Sequence, residues 1–193
     1  AMFKVAVSSD GQKVGVLCEK PFMKEKNEGL VIKILDKDLQ PILTKDYNYT
    51  IASMKRRFNV PLINNKGSLY ILKRARIKTK NKYFLTLIKE SGVEEHHDVK
   101  LRSMRIVDIT GAFNKEGELI VSGFYSGFNG FAFQGAFTIK YNESSMAAYR
   151  KELMLPESLI TGLKTKKEIS KFGNGLNKFH VKKLIVTPKG SRD

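Results

Sequence analysis

With 193 residues, 41% hydrophobic and 10% aromatic, the chain is long enough and apolar enough to bury a core, which excludes global disorder. Thirty-five Lys and Arg against 19 Asp and Glu leave a net charge of +16, a balance that bears on partners and not on fold. No apolar run approaches the roughly 20 residues of a membrane-spanning helix, and the single cysteine, Cys18, excludes an internal disulfide and a metal site built on cysteine alone.

Met2-Phe3-Lys4-Val5 enters an alternating pattern at once and does not read as a secretory leader. Ser9-Asp10-Gly11-Gln12 then forms a corner, followed by an apolar run, Val14 to Cys18. Cys18 is in phase with Val14 and Val16, and the expectation is a small buried hydrophobe. The corner recurs. Asn64-Asn65-Lys66-Gly67 precedes Ser68-Leu69-Tyr70-Ile71-Leu72, and Asn114-Lys115-Glu116-Gly117 precedes Glu118-Leu119-Ile120-Val121. Pro188-Lys189-Gly190 repeats it near the end. Gly supplies the positive φ that such turns need, and Asp or Asn side chains bond back to nearby backbone, so each corner predicts a hairpin.

The corners recur at intervals of about 50 residues, the range of propeller-type repeats, with room for four strands in each. The expected strands are Phe3–Ser8, Lys13–Lys20, Gly29–Leu35 and Pro41–Asp46 in a first unit. A second unit takes Arg57–Ile63, Ser68–Lys78, Lys82–Lys89 and Glu94–Leu101. A third takes Met104–Phe113, Glu118–Tyr125, Phe131–Tyr141 and a short strand near Tyr149–Leu153. The clearest of them alternates Phe131, Phe133, Phe137, Ile139 and Tyr141 on one face, a pattern that a helix would scatter.

After Leu155 the pattern changes. Pro156 and Glu157 open a stretch to Lys171 that reads as a short helix, Phe172-Gly173-Asn174-Gly175 as a loop, and 178–186 as a strand. The predicted fold is therefore all-β and mainly antiparallel. It comprises three β-propeller-like blades of four strands (about 1–50, 51–102 and 103–153), with residues 154–193 holding a helical or loop insertion and the first strand of an unfinished fourth unit. A β-sandwich is the alternative. Open ends of such a stack invite pairing, so a longer array or a homo-oligomer through the ends is expected.

Four stretches carry a family likeness: Ser8-Ser9-Asp10-Gly11, Ile34-Leu35-Asp36-Lys37-Asp38-Leu39, Gly117-Glu118-Leu119-Ile120-Val121-Ser122-Gly123-Phe124-Tyr125-Ser126, and Gln134-Gly135-Ala136-Phe137. In these the chain resembles uncharacterised cell-envelope proteins of Bacteroidetes with β-propeller-like repeats, over most of residues 3–190. The resemblance implies export to the periplasm or cell surface and carries no catalytic residues. The chain departs from it in being short and in starting without a leader.

The charge is uneven. Residues 51–82 hold ten Lys and Arg and no Asp or Glu, and residues 164–189 hold eight Lys against Glu168. Lys55, Arg56 and Arg57, with Arg74, Arg76, Lys78 and Lys80 expected on one strand face, are the candidates for holding a polyanion: acidic polysaccharide, anionic lipid or nucleic acid. Nucleic acid is disfavoured, since none of its recognition motifs is present. Glu94-Glu95-His96-His97 has metal-ligand residue types, but neighbours on a strand point to opposite faces, and the cluster reads as an exposed hairpin corner. His180 stands among lysines, and Asp36 and Asp38 read as turn residues. No nucleophile elbow, phosphate loop or paired zinc histidines occur, so no catalytic residue, metal or cofactor is expected. The reading is a non-catalytic binding or scaffolding module of the cell envelope with a protein or acidic polysaccharide partner. Its rivals are a polyanion-binding protein and a hydrolase with carboxylates at the repeat axis.

Overall fold

The computed structural model describes residues 2–20, 28–49, 58–77, 80–92, 94–102, 104–127, 134–143, 148–156 and 158. They form twelve strands: β1 (Met2–Val7), β2 (Lys13–Glu19), β3 (Glu28–Asp36), β4 (Pro41–Tyr49), β5 (Phe58–Ile63), β6 (Leu69–Ile77), β7 (Lys80–Ile88), β8 (Glu94–Val99), β9 (Met104–Phe113), β10 (Leu119–Gly127), β11 (Gly135–Tyr141) and β12 (Ala148–Met154). Consecutive strands pair antiparallel into three four-stranded sheets: sheet I is β1-β2-β3-β4, sheet II is β5-β6-β7-β8 and sheet III is β9-β10-β11-β12. The described residues build all-β sheets, as their alternation predicts. Of the expected C-terminal helix only Pro156 and Ser158 are among the described residues; the rest of it, the strand over 178–186, His180 and the corner at Gly190 fall outside them.

The corners explain the register. In sheet II the Asn64 N–H donates to the Ser68 carbonyl at 3.1 Å, and the Asn64 carbonyl accepts from the Gly67 N–H at 3.1 Å. Asn64 Oδ1 also accepts from the N–H groups of Lys66 and Ser68 at 3.0 and 2.9 Å. The corner is thus a turn followed by Gly67 at φ 79°, a left-handed residue that glycine occupies without steric cost. Asn114 and Gly117 repeat this in sheet III. The first corner is one residue longer, because the Ser8 N–H reaches Lys13 at 2.9 Å. Two further corners close β3-β4 and β7-β8, with Leu39 (φ 60°) and Gly92 (φ 81°) in the left-handed position. At the former, Asp36 Oδ1 accepts from the Asp38 and Gln40 N–H groups, the turn role that its sequence predicts.

The chain divides into two compact units, residues 1–99 and 100–193. In the first, sheets I and II pack face to face. Leu17, Leu30, Ile32 and Ile34 meet Ile63, Leu69, Ile71 and Ile88, all at most 3% exposed, with Ala6, Leu43 and Tyr47 around them. Each such side chain contributes roughly 1.5–3 kcal/mol by leaving water. Gly15 permits the close approach: a Cβ there would lie 2.6 Å from Leu69 Cδ1.

Registered on the residue pairs that flank the first corners, Val14, Leu69 and Leu119 are equivalent, as are Leu17, Leu72 and Ser122. The face of sheet I that carries Gly15 and Leu17 (its front) packs on the face of sheet II that carries Leu69 and Ile71 (its back). The two sheets therefore stack front to back.

In the second unit, alternation along β11 buries Phe137, Ile139 and Tyr141, beside Leu119, Val121 and Ile109 on the back of sheet III. The front is polar at its centre, where Ser122 and Thr138 share a hydroxyl hydrogen bond of 2.9 Å. Phe131 and Phe133 lie outside the described residues.

Three expectations change. Cys18 is partly exposed, because the alternation that buries Leu17 turns Cys18 to the back of sheet I. Glu94-Glu95-His96-His97 lies on β8, since the corner itself is made by the residues around Gly92. Lys80 begins β7 opposite Ile77 and does not continue the strand of Arg74 and Arg76.

Candidate functional site at the seam between two sheets

Where the outer strands β4 and β8 face each other across the first unit, the apolar core gives way to Lys45, Tyr47, Thr86, Glu94 and His96. Each is placed by strand parity. Lys45 and Tyr47 sit on β4 two residues apart, and Glu94 and His96 do so on β8. Thr86 is the β7 residue directly paired with His96. The Tyr47 hydroxyl lies 3.2 Å from His96 Nε2, and the two rings are 5.7 Å apart at 43°. Thr86 Oγ1, buried at 2% exposure, lies 3.1 Å from His96 Nδ1. The Glu94 carboxylate lies 2.6 Å from Lys45 Nζ and 3.7 Å from His96 Nε2. Lys45 also donates to the Gly92 carbonyl at 2.8 Å.

Burial pushes the Tyr47 hydroxyl above its usual range, and the Glu94 charge adds to this, against a lowering bond from Thr86. The hydroxyl therefore stays protonated well past neutrality and keeps a donor in the seam. The His96 side chain remains 53% exposed, so the seam opens to water at its imidazole. One ammonium and one carboxylate balance each other, and around them stand a phenol, a hydroxyl and an imidazole. Such a set offers donors, acceptors and aromatic edges to a polar ligand without presenting it with a net charge.

His97 points to the opposite face, as alternation requires, with Nε2 3.7 Å from Glu95 Oε2. The Glu95 carboxyl is held below its usual range, first by its 2.6 Å bond to Lys89. Among the described residues no three His, Cys, Asp or Glu side chains converge as metal ligands. Of the cations singled out in the sequence, Arg74 is half-buried on β6 opposite Tyr83, and Arg76 stands opposite Asn81. Lys55, Arg56, Arg57 and Lys78 lie outside the described residues. Lys73, in the same run, is 1% exposed on the back of sheet II.

Sequence reasoning missed the seam because its cross-sheet contacts, such as Tyr47 to His96, join residues 49 apart. The signal available was parity: Lys45 with Tyr47 and Glu94 with His96 each share a strand face.

No family model matches the chain, and no curated protein matches it. Among solved structures, a fucose lectin from Kordia zhangzhouensis, in complex with methyl-fucoside, aligns with a TM-score of 0.41 and 10% identity. The alignment covers 79% of this chain and 100% of the lectin chain. At that distance no residue role passes from one to the other.

Proposed function

We propose that this chain is a binding module of β-propeller-like blades that takes a neutral polyhydroxylated ligand, of the saccharide class, at the seam between sheets I and II. The observation that carries this reading is the charge-balanced group of Lys45, Tyr47, Thr86, Glu94 and His96, open to water at the imidazole. Vicinal hydroxyls match its alternating donors and acceptors, and sugar C–H faces pack on tyrosine and imidazole rings. Front-to-back stacking supports the blade-like description, because each sheet then keeps a second face for another sheet. The setting that goes with it is the periplasm or cell surface, on the likeness of the corner motifs.

The test is saturation-transfer NMR against neutral and acidic monosaccharides, with methyl-fucoside among them. Binding is expected to weaken about tenfold or more in Tyr47→Phe and His96→Ala, since each leaves hydrogen-bonding groups of the ligand unmatched. Equal binding by wild type and both variants would remove the seam as the site.

The net charge of +16, with ten cations and no carboxylate over residues 51–82, favours a second reading as a polyanion binder. Retention on a heparin column that falls steeply with salt supports it, and no retention at low salt sinks it.

A further inference from the structure

Among the described residues of the first unit, the back of sheet I holds the main group of large apolar side chains left in water. Phe3, Val5 and Val7 are 66%, 60% and 60% exposed, and Val14, Val16, Cys18, Val31 and Leu35 extend the patch across β2 and β3 as part-exposed residues. Val7, Val14, Val16 and Leu35 are the register equivalents of Ile63, Leu69, Ile71 and Ile88, on which sheet I docks, while Lys33, exposed at the centre of the same face, stands where sheet II has Thr86. The back of sheet I is therefore a docking face by repeat position, and this chain leaves it open. On the front of sheet III, Tyr149 and Leu153 are 69% and 60% exposed.

We propose that the back of sheet I receives the front of sheet III from a second copy of this chain, head to tail, in the geometry by which sheet I sits on sheet II. Three contacts of the existing seam test that pairing position by position. First, Lys13 of sheet I makes a 2.7 Å ion pair with Glu90 at the β7-β8 corner. The equivalent of Lys13 in sheet III is Glu118, and the equivalent of Glu90 in sheet I is Lys37, so the pair recurs with its charges exchanged, Lys37 joining the Lys140 and Asn114 that Glu118 already holds. Second, Gly15 fits over Leu69 and Ile63. The equivalent of Gly15 is Ile120, and it would lie over Val14 and Val7, so a larger residue meets smaller ones. Third, Leu43 approaches Gly92 at the corner. The equivalents are Tyr149 and Leu39, both strongly exposed and apolar. The Lys45–Glu94 and Tyr47–His96 contacts do not recur, their equivalents being Lys151 with Pro41 and Leu153 with Thr44.

Charge complementarity at the corner and steric exchange at the centre select sheet III of another copy over a second back face. Back to back, Phe3, Val5 and Val7 would meet themselves, and Lys37 would have no carboxylate prescribed for it. A contact between unlike faces either closes into a ring or propagates.

The experiment is sedimentation velocity on the full chain over a concentration series, with two single-face variants. Val5→Lys disables the back of sheet I, and Thr138→Arg disables the front of sheet III; both positions are exposed, so folding is monitored by circular dichroism and unchanged melting. The wild type is expected to associate with rising concentration, each variant alone to stay monomeric, and the two mixed to stop at a dimer. Lys37→Glu is expected to weaken association about tenfold and to be restored by adding Glu118→Lys. A wild type that stays monomeric at millimolar concentration overturns the proposal, as does association undiminished by either variant. A Val5→Lys chain that fails to pair with Thr138→Arg also overturns it, since that result marks a contact between like faces.

Discussion

The backs of sheets I and II occupy equivalent positions in the repeat and have opposite fates. In sheet II the back is closed: Ile63, Leu69, Ile71 and Ile88 are at most 3% exposed, and even Lys73 and Thr86 are 1% and 2% exposed. In sheet I the back is open, although its equivalents Val7, Val14, Val16, Leu35 and Cys18 are apolar, with Lys33 in the place of Thr86. A face meant for water normally carries polar residues outward on alternate positions. The open face thus keeps the apolar character of the closed one, which marks it as a face for a partner and not for water.

The largest effect that would sharpen this contrast comes from neighbours on one strand. Leu17→Ala, at the closed seam, is expected to cost about 2–5 kcal/mol in chemical denaturation, as a buried leucine truncation leaves a cavity. Cys18→Ala, one residue along and facing the open side, is expected to stay within about 0.5 kcal/mol in dilute solution. Equal losses would mean that both faces of β2 are packed.

A titration of comparable size concerns Tyr141, on the closed back of sheet III, where burial pushes the phenol up to about 12. The folded chain keeps this proton from pH 10 to 12 while the unfolded chain has lost it. Stability from this group is full below pH 10 and falls by about 2–3 kcal/mol as pH rises to 12. Tyrosinate absorbance should show phenols titrating late, with Tyr47 and Tyr125 raised by burial as well, and Tyr141→Phe should remove the latest step; a full complement ionising near pH 10 would contradict the burial.

The corners give smaller effects. Asn64→Ala removes the acceptor of two backbone N–H bonds and is expected to cost about 1–2 kcal/mol. Leu39→Gly relieves a left-handed leucine and is expected to stabilise by up to about 1 kcal/mol in thermal melts. A loss of stability at Leu39 would show that its exposed side chain is doing more than filling a turn.

Much of the fold is legible in the residues. Gly11, Gly67 and Gly117, each behind a polar corner and ahead of an apolar run, mark the first hairpin of each sheet because a left-handed turn residue selects glycine. The corner at Leu39 is visible only through Asp36, since its left-handed position lacks the glycine. What the glycines conceal is the extra residue of the first corner. Matched on Gly11 and Gly67, Leu17 falls opposite Lys73; matched on the hydrogen-bonded pairs, it falls opposite Leu72. One residue reverses every face assignment in a strand of period two, so front and back could not be read from spacing. The seam residues were hidden for a related reason: Tyr47 and His96 meet only once two sheets have stacked.

Cys18, the one cysteine, lies on the open face and reports on it without any substitution. The most direct measurement is its alkylation rate as protein concentration rises from micromolar to millimolar. If a second copy covers the back of sheet I, the rate per molecule falls steeply over that range and Val5→Lys abolishes the fall. A rate independent of concentration in both proteins would contradict the account.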